Sequence, residues 1–434
     1  MRGQIDQKFR LTEHHTNIRQ ELLGGLTTFI AMAYVLATIP NMLGRTGMDP
    51  GAVLTSMVIL VILSTWAMGL YTNRPFALAP GLGSTGIVAS MILNENIPQP
   101  VAAGVIFWSG VLFILISWLG LREAVVRVIP VSLKHAVSAG IGLFIALLGA
   151  KSGGVIAASE ARNCLAFGAL TSPEVRVTLV GFIILLVLKA RNVRGAPILS
   201  ILAATLVGIL LGVTQLPEQL LAFPSGGSRQ LFSIDLLGAL RISYLPFLIA
   251  LFIPDFFSTF GTVYGVGAQA GFLDAEGNME GVDRCFKVDA VSTSAGALFG
   301  IPSMTTYLEC SAGIEAGGRT GLTSIFIGLF FLLSLFLSPV ALIVPSAATA
   351  PILIYIGVNM LGAMRNIKFE DMTEAVPAFL CVAFTVFANN VANGICIAIP
   401  AYLIVKLAAG KRKEVHPIIY ALSAICLVYF GTQL

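Results

Sequence analysis

The sequence predicts an all-α polytopic membrane protein of fourteen spans, built as a 7+7 inverted repeat, and three observations predict it. Of 434 residues, 56% are hydrophobic and only 11% charged, with a mean hydropathy of +0.89, whereas a soluble domain carries about 25% charged residues. Apolar segments follow one another along the whole chain with short polar connections. Basic residues fall on alternate connections, the pattern of a chain whose Lys and Arg collect on the cytoplasmic side.

A bilayer core of about 30 Å needs roughly 20 apolar residues at about 1.5 Å rise each. Residues 1–21 form a polar, basic N-terminal tail read as cytoplasmic. The apolar run 22–43 is too long for a signal-peptide core and has no small-residue cleavage site, so it is an uncleaved first span. Spans two to seven follow at 53–71, 76–93, 101–120, 131–150, 175–188 and 197–213, completing a first repeat over 22–216. Residues 217–242 are polar and connect the halves outside the cytoplasm. The second repeat, 243–409, holds segments at 243–271, 288–300, 303–313, 322–338, 347–363, 375–388 and 394–408. Residues 410–434 are a basic linker and a further hydrophobic segment, 415–431, whose route the sequence leaves open. With the N-terminus inside, 20 of the 26 basic residues face the cytoplasm, among them Arg74, Arg122, Arg127, Lys134, Lys189, Arg194, Arg319 and Lys406; Arg45, Lys151, Arg162, Arg176, Arg229 and Arg241 remain outside. The expected location is the plasma (inner) membrane.

The halves resemble each other, and an odd number of spans per half makes the duplication inverted. Ile129-Pro130-Val131-Ser132, running to Leu148-Gly149-Ala150, parallels Val344-Pro345-Ser346-Ala347, running to Leu361-Gly362-Ala363; Asn192-Val193-Arg194-Gly195 mirrors Asn390-Val391-Ala392-Asn393-Gly394.

Ionisable residues inside spans are costly, about 2.5–3.5 kcal/mol each on insertion scales, so they tend to face a cavity. Two stand out. Asp255 follows Pro254 deep in the 243–271 segment. Glu309 lies in Thr305-Thr306-Tyr307-Leu308-Glu309-Cys310-Ser311, a short stretch bounded by Gly300, Pro302 and Gly313, as in a discontinuous helix whose freed backbone lines a site. Packing or an inter-helix hydrogen bond is the alternative for each. Other acidic residues near segment ends, Glu21, Glu95, Glu123, Asp274, Glu280, Asp283, Glu315 and Glu374, read as solvated loop charges. The counterpart break in the first half is Ala79-Pro80-Gly81-Leu82-Gly83-Ser84-Thr85-Gly86. It spells GxGxxG, but that fingerprint has meaning only at a strand-turn-helix of a soluble sheet.

Several classes are excluded or disfavoured. A charge of +4, scattered, is unsuited to nucleic acid. No Walker A loop is present. No HExxH or CxxC cluster points to a metal, and His14-His15 sits in the polar tail. No nucleophile and base set suggests an enzyme, and no cofactor is expected.

The residues resemble a known family, the nucleobase-cation symporter 2 permeases, and within it the adenine, guanine and hypoxanthine (AzgA-like) branch. The resemblance covers nearly the whole chain. It is carried by Glu21-Leu22-Leu23-Gly24-Gly25-Leu26-Thr27-Thr28-Phe29-Ile30-Ala31-Met32-Ala33-Tyr34, by Ala79-Pro80-Gly81-Leu82-Gly83, by Phe257-Ser258-Thr259-Phe260-Gly261-Thr262, and most specifically by Thr305-Thr306-Tyr307-Leu308-Glu309-Cys310-Ser311-Ala312-Gly313 with Gly317-Gly318-Arg319-Thr320-Gly321-Leu322-Thr323. It implies a core domain from spans 1–4 and 8–11, a gate domain from spans 5–7 and 12–14, and short extended strands interrupting spans 3 and 10.

By position, the family's substrate-binding acids fall on Asp255 and Glu309, and a glycine that approaches the ligand falls on Gly83. Two departures stand out. The family's Asn after that glycine is Thr85 here, and the second Asp of its span-8 motif is Ser258. Ser84, Phe256 and Thr306 complete the expected substrate set, with Phe256, Phe257, Phe260 or Tyr307 available to stack on a ring. The resemblance implies proton-coupled import of a purine nucleobase (guanine, hypoxanthine or adenine) by movement of core against gate, with Asp255 or Glu309 exchanging the proton. Xanthine, urate or a pyrimidine is the alternative substrate class that Thr85 and Ser258 keep open; an uncoupled channel or anion pathway is the alternative mechanism. A homodimer is expected by analogy with relatives of the fold.

Overall fold

The computed structural model describes residues 2–119, 130–159, 164–193, 195–216, 219, 233–272, 279–388 and 390–433. Arg122, Glu123, Arg127, Arg162, Arg194, Arg229 and Asp274 lie outside the described residues.

After an N-terminal helix α1 (Arg2–Phe9), the first half runs α2 (Ile18–Met32), α3 (Val35–Gly44), α4 (Pro50–Thr72), β1 (Leu78–Pro80), α5 (Leu82–Leu93), α6 (Gln99–Trp118), α7 (Val131–Ser152), a hairpin of β2 (Ile156–Ser159) and β3 (Cys164–Phe167), α8 (Pro173–Ala190) and α9 (Ala196–Leu210). The second half repeats the order: α10 (Leu245–Gln269), α11 (Val282–Leu298), β4 (Met304–Thr306), α12 (Cys310–Glu315), α13 (Gly321–Leu335), a short α14 (Ser338–Leu342), α15 (Ser346–Leu361), α16 (Met372–Phe387) and α17 (Val391–Ala408), with α18 (Pro417–Gln433) closing the chain. Among the described residues six helical stretches are long and apolar enough to cross a membrane, α2 with α3 counting as one, and six apolar helices are shorter. The chain is a multi-pass membrane protein.

Most of the element order follows from local chemistry. Asp49, Ser172, Asp371 and Asn390 each accept a backbone N–H at a helix start, the role for which short polar side chains are favoured. The two interrupted segments break where Pro and Gly remove donors or side chains: 76–93 becomes β1 then α5, and 303–313 becomes β4 then α12. The run at 22–43 also divides, at Ala33 and Tyr34, and the polar connection after span five forms the β2–β3 hairpin.

Close packing depends on glycine at a few crossings. A methyl at Gly321 would overlap the backbone of Gly69, so α13 meets α4 backbone to backbone. On α7, Gly142 and Gly149 face Met360 and Leu353, which sets α7 antiparallel along α15.

Glu21 corrects the sequence reading. It is fully buried rather than solvated, and its carboxylate accepts from the backbone N–H groups of Arg319 (3.0 Å), Thr320 (3.2 Å) and Thr323 (3.1 Å) and from the Thr323 hydroxyl (2.6 Å). It caps α13 across the molecule, where the unpaired N–H groups of a helix start favour an anion. Glu374 is likewise not solvated: it pairs with the buried Lys406 at 2.7 Å, and Glu414 approaches the same ammonium at 2.6 Å. Glu21→Ala is expected to destabilise the folded protein by about 3 kcal/mol, since several buried donors lose a charged acceptor; thermal unfolding of the purified protein in detergent measures it, and Glu21→Gln should lose less.

Candidate functional site

The site begins with two strands three residues long. β1 and β4 pair antiparallel, with Leu78 opposite Thr306, Ala79 opposite Thr305 and Pro80 opposite Met304. Gly81 N–H donates to Ser303 O (3.0 Å) and Tyr307 N–H to Ala77 O (3.1 Å), extending the pairing at both ends. Backbone groups that a continuous helix would satisfy internally are thereby paired across the two halves, as a buried break requires. The Tyr307 hydroxyl donates to Pro80 O at 2.5 Å, and Ser84 Oγ donates to Gly81 O at 2.9 Å.

Beside the strand pair lies a cavity of about 600 Å³, within the usual size for a small-molecule site. One wall carries Tyr34, Gly83, Ser84, Asp255, Ser258, Thr306 and Glu309; the facing wall carries Lys134, His135 and Ser138 from the first turns of α7 and Ile356, Asn359 and Met360 from the last turns of α15. Six of the eight expected residues therefore line one cavity. The other two do not. Thr85 is fully buried, and its hydroxyl donates back to Gly81 O at 2.8 Å within α5. Phe256 is fully buried too, packed against Phe113 and Phe252 in tilted ring contacts with centroids 5.4 Å away in each case. Of the other ring candidates, Tyr307 lines the cavity, while the side chains of Phe257 and Phe260 lie outside the described residues.

Two further residues, Tyr34 and Asp289, belong to the site. The Tyr34 hydroxyl donates to Glu309 Oε1 at 2.9 Å, from the point where α2 gives way to α3. Asp289, on α11 and fully buried, accepts from Thr259 Oγ1 (2.8 Å) and Thr306 Oγ1 (3.3 Å); Asp255 accepts from Thr293 Oγ1 (3.2 Å), which also donates to Met304 O (2.9 Å). The arrangement is crossed: Asp255 and Thr259 are one turn apart on α10, Asp289 and Thr293 one turn apart on α11, and each aspartate takes the other helix's threonine. A matched Asp-x-x-x-Thr on two successive spans was the legible signal. The crossed pairs grip β4 through Thr306 and Met304, so the strand that carries Thr306 to the cavity is fixed from behind.

Chemically, the cavity offers two acceptor carboxylates and several hydroxyls on one side, with an amide, an imidazole and an ammonium on the other. That set suits a neutral, flat ligand with polar edges, because a dry site that hydrogen-bonds its ligand discriminates against one whose edge leaves buried groups unpaired.

Residues 19–396 match the sequence profile described as the Permease family. The chain is 37% identical over 427 residues to a putative permease of Methanocaldococcus jannaschii, covering 98% of each. It is 34% identical to the adenine permease AdeP of Escherichia coli, covering 99% of this chain and 96% of that one. It is also 34% identical to the guanine/hypoxanthine permease PbuO of Bacillus subtilis, covering 97% and 99%. Among solved structures, the transmembrane domain of the cyanobacterial bicarbonate transporter BicA aligns with a TM-score of 0.65 at 16% identity, over 88% of this chain and 97% of that one. The murine anion transporter Slc26a9 aligns with a TM-score of 0.64 at 11% identity, over 91% and 69%. These structures share the fold.

Proposed function

The chain belongs to this permease family, the nucleobase:cation symporters, and on that premise we propose that it imports a purine nucleobase, guanine, hypoxanthine or adenine, together with a proton. It is a transporter and not an enzyme. The observation that carries the reading is the convergence of Asp255 and Glu309 on one cavity with Ser258, Thr306 and Gly83. A carboxylate accepts from a purine ring N–H, the hydroxyls complete the edge, and Gly83, without a side chain, leaves room for the flat ring. Of the titratable groups at the cavity, which include Lys134 and His135 on the facing wall, we assign the proton taken up on one side of the membrane and released on the other to Asp255 or Glu309.

The cavity lies between two sets of helices, α2–α6 with α10–α13 and α7–α9 with α15–α17. We take the first set as the core and the second as the gate, and transport as movement of core against gate that exposes the cavity to each side in turn. We further infer fourteen spans with a cytoplasmic N-terminus, a reading supported by the 20:6 bias of basic residues; on it the cavity mouth, between the start of α7 and the end of α15, is on the inner side.

Uptake of labelled hypoxanthine, guanine, adenine, xanthine and uracil into cells lacking their own permeases tests this, with and without an uncoupler. Uncoupler-sensitive accumulation of one or two purines is the expected result. Accumulation of xanthine or uracil alone would transfer the assignment to another planar heterocycle, a reading that Ser258 keeps open; flux without accumulation would mean an uncoupled pathway. Tyr34→Phe removes the donor to Glu309 and leaves the ring in place. It is expected to raise the KM for uptake about tenfold or more, the worth of one hydrogen bond to a charged group, and to displace the pH profile of uptake, which a mere packing role would not do.

A further inference from the structure

Asn41 and Asn390 each make a side-chain hydrogen bond between the core and the gate helices, on the face opposite the cavity mouth. Asn41, near the end of α3, donates through Nδ2 to Val344 O at 3.0 Å, just before α15 begins. Asn390 donates through Nδ2 to Glu95 Oε1 at 2.6 Å. The Asn390 amide is oriented by its other duty: as N-cap of α17 its Oδ1 accepts from Ala392 N–H at 2.8 Å, which turns Nδ2 toward Glu95. Glu95 follows α5, and four residues on Gln99 donates to Thr46 O at 3.3 Å in the connection between α3 and α4, so Asn41 and Glu95 share one rim. The exposed part of the cavity lining is at the other end of the antiparallel pair α7 and α15, where Leu308 and Asn359 are exposed and Lys134 and His135 half-buried, and we take this as the mouth. Midway, α5 meets α7 through Gly83 and Gly86, whose missing side chains face Ile141 and Phe144. This contact is smooth and apolar.

We propose that Glu95–Asn390 and Asn41–Val344 form a latch that holds the outer entrance shut and opens each time the cavity turns outward. The proposal rests on the core and gate reading above. A hinge or sliding motion needs a few discrete polar contacts that differ between its end states. Here one such contact is charge-assisted, and the other uses a backbone carbonyl that any displacement of α15 relative to α3 would break. A ligand or variant moves the equilibrium only by its differential effect on the two states, and breaking the latch acts on the inward-facing state alone.

The test uses the full-length protein with Cys164→Ser and Ser138→Cys. The other five cysteines are buried, and Ser138 lines the cavity. Labelling by a membrane-impermeant maleimide is measured from the outside of sealed right-side-out vesicles. Asn390→Asp keeps a good N-cap but sets a carboxylate against Glu95, and is expected to raise outside labelling about tenfold, the factor one charge-assisted hydrogen bond is worth. Adding Glu95→Gln restores a donor and acceptor pair and is expected to return labelling to the starting rate. Unchanged labelling in Asn390→Asp, or a rise that Glu95→Gln does not reverse, overturns the latch. If Asn390→Asp does not reach the membrane, Glu95→Cys with Asn390→Cys, joined by a short bifunctional thiol cross-linker that consumes both rim thiols, should suppress outside labelling of the thiol introduced at position 138; full labelling there while cross-linked overturns the proposal. None of these readouts needs a transported substrate, so a chain that accumulates no purine would refute the proposed function while leaving the latch test standing.

Discussion

Glu309→Gln is expected to abolish concentrative uptake, with the accumulation ratio across the membrane falling to unity, while the purified variant still binds ligand about tenfold more weakly. The glutamine keeps the size of the side chain and an oxygen able to accept from Tyr34, whose hydroxyl lies 2.9 Å from Glu309 Oε1. It keeps no group that exchanges a proton. Binding weakens because a charged acceptor becomes a neutral one, a difference of roughly a factor of ten for a hydrogen bond in a dry site. Uptake with and without uncoupler reads the first effect and calorimetric titration of the purified protein the second. Retention of pH-dependent accumulation by Glu309→Gln would remove Glu309 as the proton carrier and leave the task to Asp255.

The second large effect concerns a residue outside the cavity lining. Asp289→Leu is expected to lower uptake by about tenfold or more, and Asp289→Asn by less, because Asp289 holds Thr259 and Thr306 through its two oxygens and an amide can accept only through one. Leaving buried hydroxyls without their charged acceptor costs about 1–3 kcal/mol, and Thr306 is the one that also faces the cavity. The loss should appear mainly in KM, with the pH profile in place, since Asp289 is assigned to positioning. Wild-type KM in Asp289→Leu would end that role, and a displaced pH profile would make Asp289 a proton carrier instead.

Hydropathy and charge made the helices, their order and the two interrupted segments legible, because insertion into lipid acts on runs of residues that a sequence displays directly. Asp255 and Glu309 were legible for the same reason: each stands alone in an apolar run. Glu21 was misread because it sits at the edge of its run, where a charge is ordinarily solvated, and its partners at Arg319, Thr320 and Thr323 are some 300 residues away. Asp289 sits at a similar edge, two residues after Lys287. Thr85 and Phe256 were placed at the cavity by position in a motif, which fixes depth in the bilayer but not the face of the helix; each points to the packing side, the first bonded to its own helix and the second into a cluster of phenylalanines. The facing wall at Lys134, Ser138 and Asn359 arises only when α7 and α15 lie side by side, and nothing local in either segment announces it.

The contact between Glu21 and Thr323 spans 302 residues, and β1 waits for β4 across a shorter stretch of the same chain, from Ala79 to Thr305. At roughly 5–20 residues per second, synthesis of the longer interval takes on the order of fifteen to sixty seconds. For that time the first span rests in the bilayer with its carboxylate unpaired, and for a shorter time the first strand lacks its neighbour. The N-terminal half emerging from the ribosome is thus an incomplete body until the second half arrives. The two halves made as separate polypeptides should each be degraded when alone, and accumulate when produced together.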